Sequence, residues 1–329
     1  MYSSSKYLSL HSTYRIGAMG LFLTIDDATR IFQRIQMSKI DVSEELRGWK
    51  YSDYPVRPPS SSKISVGDLS LEFCQTGRMF FLRYVKKVRE VEKPLLARGR
   101  YIHSIFNTAI TTAKRIILGG TVKDSSSFLI SFLDESVKIK PNLIKEFSLL
   151  SKWEGEEKLG RIFNKIWSMA ASTYSHQLDE TVTRSPYLSL DGIVSNVVPV
   201  VTEFPLDGTY LGFQKSIRVD ALLLPFLIVE LKTREVKQEH KIGLTAYAMV
   251  FESIFNIPVD YALILNLKLD KEAEDIKVYE ELVPITDSLR TMMIERRDSA
   301  LRIIDENVDP GKPDYCNYEC PYYEFCNKL

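Results

Sequence analysis

The chain has 329 residues, of which 45% are hydrophobic and 26% charged, and its 43 Lys and Arg are balanced by 43 Asp and Glu. That length can bury a substantial core in one or two domains, and the composition is ordinary for a soluble globular protein. Net charge therefore gives no reason to expect a polyanionic partner. No apolar run approaches the roughly 18 residues of a membrane helix, and no basic-then-apolar leader is evident. A cytoplasmic protein without a membrane partner is expected.

Residues 1–62 read as a small helical entry region and linker. Asp26 or Asp27 can cap a helix whose apolar positions Ile25, Ala28, Ile31, Phe32 and Ile35 recur at helical spacing. Residues 54–62, YPVRPPSSS, form a connector in which prolines deny helix and serines favour turns. Ser65 with Asp68 resembles a capping box that opens a short helix running into Cys74. Residues 78–100 then carry eight basic side chains against only Glu90 and Glu92. This is either a solvated helix face or, given the interleaved Phe80, Phe81, Tyr84 and Tyr101, a groove that tracks a nucleic-acid strand.

Pro94 suits the first turn of the next helix and Gly119-Gly120 its end. Its stripe contains Ile102, Ile105, Phe106, Ala109, Ala113 and Ile116. His103 adjoins that stripe and, taken by itself, reads as a half-buried packing residue. Further helices follow to about residue 177, one started by Pro141 and one over 153–174, so a helical region spans 63–180. The pattern changes in the region 181–308. Residues 196–205 read as a strand, and Asp207-Gly208 is a turn signal. Residues 236–255 are helical, with Leu244, Tyr247, Ala248 and Phe251 on one side. Residues 261–267 form a strand buried on both faces, residues 276–282 a further strand, and residues 287–306 an amphipathic helix. Strand, hairpin, helix and strand imply a mixed α/β fold, with helices packed on a mixed sheet.

The hairpin is residues 216–234, SIRVDALLLPFLIVELKTR. Two apolar runs meet at Pro225, which is natural at a turn and awkward mid-strand. Folding back there sets Asp220 opposite Glu230, with Cβ atoms roughly 5 Å apart, so that both carboxylates can grip one divalent cation. Lys232, two residues on, shares the face of Glu230. A cation polarising a phosphate with an ammonium beside it suits phosphodiester hydrolysis. Charged residues at strand ends are also commonly just solvated.

Three of the four cysteines, Cys316, Cys320 and Cys326, lie in the tail 309–329, and Cys74 is far upstream. Two disulfides or separate buried thiols are arithmetically open. Packed among Pro, Tyr and Asn, however, the set fits a four-thiolate site, either zinc or an iron–sulfur cluster, that pins the tail to the helical region.

These residues together resemble the RecB-like iron–sulfur nucleases of the PD-(D/E)xK superfamily, and in particular the archaeal CRISPR-associated exonucleases. The matching motifs are Cys74-Gln75-Thr76-Gly77-Arg78, Gly99-Arg100-Tyr101-Ile102-His103, Asp220, Glu230-Leu231-Lys232, Tyr247 and the cysteine tail, over residues 65–329. The tail has one more residue in its first gap than is usual in the family, and Gly243 stands where the family's Q-x-x-x-Y motif has glutamine. The resemblance implies a RecB-like nuclease core closed by a 4Fe–4S cluster on Cys74, Cys316, Cys320 and Cys326. It makes His103 a ligand of Mg2+ or Mn2+ beside Asp220, Glu230 and the Leu231 carbonyl. Lys232 would hold and help deprotonate the attacking water, and Tyr247 would orient the substrate strand. It also implies that the run 78–100 guides single-stranded DNA ends and that the chain trims DNA during CRISPR adaptation and antiviral defence, alongside integrase subunits and other adaptation proteins. Two other readings stand beside this one. Gly243 motivates a non-catalytic DNA-binding scaffold, and the third reading is a DNA-repair nuclease subunit whose motor is a separate chain.

Overall fold

The computed structural model describes residues 20–71, 74–120 and 124–328. The first 19 residues of the expected entry region therefore lie outside the description. Helix α1 (Ile25–Met37) is capped by Thr24, two residues before Asp26, and by neither of the expected aspartates. The side chain of Thr24 accepts from the Asp27 backbone while the Asp27 carboxylate accepts from the Thr24 N–H at 2.9 Å. Asp27 is thus the third helical residue of a reciprocal box and not the cap itself. The Tyr84 hydroxyl accepts from the Ser65 N–H, and Ser65 caps α2 (Val66–Leu69). That helix ends after a single turn and does not run on to Cys74.

A short α3 (Arg78–Phe80) and a π turn (Phe81–Val85) lead into the helical layer of α4 (Pro94–Leu118), α5 (Ser125–Glu146), α6 (Ser148–Glu154), α7 (Glu156–Arg184) and α8 (Leu190–Val197). Proline opens α4 and Gly119 caps its end, as read from the sequence. Three boundaries differ from expectation. Pro141 lies inside α5, which Asp124 starts much earlier through its bond with the Ser127 N–H. Gly155, at φ +86°, splits the stretch 153–174 between α6 and α7. Asn196 and Val197 close α8, so the strand expected from residue 196 begins only at Val200.

The sheet follows as β1 (Val200–Leu206), β2 (Ile217–Leu223) and β3 (Leu227–Lys232), then helix α9 (Gln238–Phe255), β4 (Tyr261–Leu269) and β5 (Ile276–Pro284). Helices α10 (Asp287–Glu306) and α11 (Tyr323–Lys328) complete the chain. Strand order is β1-β2-β3-β4-β5; β3 and β4 are parallel across the α9 crossover, and the other pairs are antiparallel. This is the mixed α/β architecture expected. Asp207 does make a turn, its carboxylate accepting from the Thr209 N–H at 3.0 Å, but the turn opens a longer excursion before β2 and not a tight hairpin.

Strand periodicity divides the core into two layers. Leu223, Val229, Leu231, Leu263 and Leu265 pack under α4, α5, α7 and α8. Leu222, Ile228, Ala262 and Ile264 pack against α9 and α10. The apolar run of β4 is thereby buried on both faces, as its composition requires. Among the described residues no helix is long and apolar enough to cross a membrane.

Candidate active site at the end of the hairpin

The turn at residues 224–226, with a cis Leu224–Pro225 bond, closes the β2–β3 hairpin where the sequence puts it. The register Leu223↔Leu227, Leu222↔Ile228, Ala221↔Val229 continues to Asp220 opposite Glu230. Just beyond the paired residues, Asp220 Oδ2 takes the Leu231 N–H at 2.8 Å, so the aspartate is fixed by backbone from the neighbouring strand. Lys232 Nζ donates to Glu230 Oε1 at 2.6 Å. From the helical layer, α4 brings His103 Nδ1 to 3.1 Å from Asp220 Oδ1. The structure thus gathers His103, Asp220, Glu230 and Lys232, residues that come from three separate sequence motifs. Glu230 is only 8% exposed, and its Oε2 has no hydrogen-bond partner. A buried carboxylate oxygen left unsatisfied is costly unless something cationic or protic meets it.

The electrostatics separate the two facing acids. Burial pushes Asp220 up, but the charge and hydrogen bond of His103, then Lys232 and the Leu231 N–H, hold it below the ordinary carboxylate range. Burial and then the Asp220 charge raise Glu230 above that range. Burial works against protonation of His103, yet Asp220 carries it above its usual value. The two facing carboxyls are therefore shifted in opposite directions, with His103 paired to Asp220 and Lys232 to Glu230.

These groups open onto a cleft of ≈ 870 Å³ lined by His103, Glu230, Lys232, Tyr247, Arg83 and Arg100, among others. Tyr247 lines the same cleft, and burial, then the Glu230 and Asp220 charges, raise its phenol well above the ordinary value. Gly243, one turn earlier on α9, has a packing reason. A Cβ there would lie 1.8 Å from Ser70 Oγ and 3.1 Å from Ser70 Cβ, so a larger residue would require the Ser70 hydroxyl to rotate and the α2 end to give way slightly.

Charge counting overstates the free basic surface. Arg78 is held by Asp309 (2.8 Å), Arg98 by Glu154 (2.7 Å) and Arg83 by Asp68 (3.0 Å). Glu90 and Glu92 pair with Arg83 and Arg100. Lys86 lies over the Phe81 ring. The aromatics expected to interleave as stacking platforms are packing residues. Phe80, Phe81 and Tyr101 are buried, and Tyr84 donates its hydroxyl to Asp68 at 2.5 Å.

The four cysteines are all free; burial and then Cys74 raise the Cys316 thiol, and Cys74 and Cys316 both lie close enough to act on Cys320 and Cys326. Burial, and then these neighbours, raise the Cys320 thiol to about 11, and burial also raises Cys326 although the Arg78 charge opposes it. Thiols gathered in this way, two of them buried, are of the type that a soft cation takes as thiolates. Among the described residues, no group of three or more His, Cys, Asp or Glu is already arranged to hold a metal ion.

A family profile described as "CRISPR-associated exonuclease Csa1" matches residues 21–329. The chain belongs to this family. It is 33% identical over 310 residues to a CRISPR-associated exonuclease Csa1 of Saccharolobus solfataricus, covering 93% of this chain and 100% of that protein. It is 25% identical over 306 residues to one of Thermoproteus tenax, covering 92% of this chain and 99% of that protein.

A further acid of this Csa1-family chain, in the first strand of the sheet and readable in sequence either as an additional site acid or as a surface charge, also reaches the cleft. Glu203 falls opposite Asp220 in the β1–β2 register and lines the same cleft, so three carboxylates share one rung of the sheet. Its φ of +49° inside a strand is a conformation that side chains with a Cβ rarely adopt. Only an exposed contact with Arg218, at 3.4 Å, engages it. No local sequence signal marks that backbone.

Proposed function

We propose that this chain is a metal-dependent DNA nuclease of the PD-(D/E)xK type that trims single-stranded ends during CRISPR adaptation, in company with integrase subunits. The observation that carries the proposal is the hairpin register that sets Asp220 across from Glu230, with Lys232 bonded to Glu230 and His103 to Asp220, at the wall of an open cleft. The unsatisfied Glu230 Oε2 and the oxygen-rich donor set fit Mg2+ or Mn2+. His103, Asp220, Glu230 and the Leu231 carbonyl are the groups that would hold it. When bound, the ion supplies Lewis-acid polarisation of the phosphodiester.

The remaining chemistry belongs to the chain. Lys232, aligned by Glu230, presents an ammonium to the cleft, where it orients the attacking water and offsets charge developing on the phosphate. The Leu231 N–H holds the Asp220 carboxylate in its orientation. Tyr247 borders the acids and bounds the position of the substrate strand. Cys74, Cys316, Cys320 and Cys326 would hold a 4Fe–4S cluster, with zinc as the other metal such thiolates take, and so tie the tail to the helical layer. The family names printed for the Saccharolobus and Thermoproteus relatives support the nuclease and CRISPR parts of this reading. The close approach of Ser70 gives Gly243 a packing role of its own. The test is cleavage of end-labelled single-stranded DNA with Mn2+ by wild type and Lys232→Ala.

A further inference from the structure

Residues 87–93 cross from the π turn to α4 without regular structure. The segment is tied down at three points. Val88 N–H bonds to Leu82 O at 2.9 Å, Val91 N–H bonds to Pro321 O at 3.1 Å, and the Tyr322 hydroxyl reaches Glu90 at 3.3 Å. From this strap two carboxylates extend to two guanidiniums: Glu90 to Arg83 and Glu92 to Arg100. All four side chains line the cleft that holds Glu230 and Lys232.

A carboxylate on a guanidinium occupies the position a phosphate would take, because both anions offer oxygen pairs to the same planar fork. The Arg100–Glu92 pair is exposed, at 58% and 36%, so water weakens it and an incoming anion can displace it. Arg83 is better seated, since Asp68 holds the same nitrogen from behind at 3.0 Å and fixes where the guanidinium points.

We propose that Arg83 and Arg100 are phosphate seats for the DNA backbone, and that Glu90 and Glu92 of the strap fill them until the substrate displaces the carboxylates. The idea rests on the nuclease reading above and adds to it the competition between strap and phosphodiester. Arg83 and Arg100 are positioning residues here, and the strap sets how much of the cleft's positive charge free DNA meets.

The test is fluorescence anisotropy of a labelled single-stranded oligonucleotide on the full chain in EDTA, across a salt series. It compares wild type, Glu92→Gln, Arg100→Gln and the double variant. Both side chains are exposed, so folding is not at stake; Glu90→Gln is a second variant at the other seat. Glu92→Gln should tighten binding about threefold in the wild-type background. Arg100→Gln should weaken binding and flatten the logarithmic salt dependence by about 0.7. With Arg100 gone, Glu92→Gln should no longer tighten binding beyond the small gain from removing a nearby negative charge. An equal gain in both backgrounds, or no gain in either, overturns the strap competition while leaving the nuclease reading intact. Failure of wild type to bind DNA at any salt overturns both.

Discussion

Replacing Gly243 by alanine tests how closely α2 is seated on the helix that carries Tyr247. The added Cβ would stand 1.8 Å from Ser70 Oγ and 3.1 Å from Ser70 Cβ. The hydroxyl can rotate away, but the Cβ cannot, so α2 must back off by a few tenths of an ångström. Overpacking of this kind costs about 1–3 kcal/mol, against a gain of about 1 kcal/mol for alanine over glycine inside a helix. The net change is a loss of up to about 2 kcal/mol. In a Ser70→Gly background the clash disappears and only the propensity gain remains, so Gly243→Ala should then stabilise by about 1 kcal/mol. Urea unfolding of the four proteins closes the double-mutant cycle, with an expected coupling of about 1–3 kcal/mol. The same change in stability in both backgrounds would refute the steric account. By the same geometry, Gly243→Gln should lower nuclease activity and not raise it.

Other consequences are as direct. Glu252 accepts from Arg290 at 2.7 and 2.8 Å, from Arg47 at 3.0 Å and from the Gly48 and Val259 N–H groups, with Arg290 at 0% exposure. Glu252→Gln leaves that buried cation uncompensated and should cost about 3–5 kcal/mol in urea unfolding. Burial pushes Glu252 up, but the Arg290 bonds and charge outweigh it and hold the carboxyl below its usual range. Its stabilisation is therefore fully present above the unfolded value of about 4.3 and lost as pH falls through the lower folded value. An identical acid dependence in Glu252→Gln would contradict this. Glu203→Gly should raise stability by about 1 kcal/mol by relieving the left-handed backbone, and thermal unfolding would show a loss if that strain were absent. Cys326→Ala should strip the bound metal, measured as iron and zinc content of the purified protein, and lower unfolding stability. Unchanged metal content would count against the four-thiolate site.

The hairpin was legible because a proline between two apolar runs leaves the chain one way to bury both, and the period of two then fixes which residues face each other. Helix α10 was legible end to end because Thr286 caps it and Asn307, at φ +54°, stops it. The start of β1 was not. The valines at 197 and 198 are as suited to a strand as to the last turn of α8, and burial of Val194 and Val197 in the helical layer decides the matter. The partners of the basic run were also hidden, since Asp309 lies 231 residues from Arg78 and Glu154 lies 56 from Arg98. Composition counts charges and says nothing of which are already spent on one another. Likewise the aromatics in that run look the same in sequence whether they stack on a base or pack under α10.

The most direct measurement is single-turnover cleavage of end-labelled single-stranded DNA with Mn2+, comparing wild type with Lys232→Ala. Loss of the ammonium that Glu230 aligns should slow cleavage by about 100-fold or more, with the fold intact by circular dichroism. Equal rates for the two proteins would contradict the assignment of the hairpin as the cutting centre.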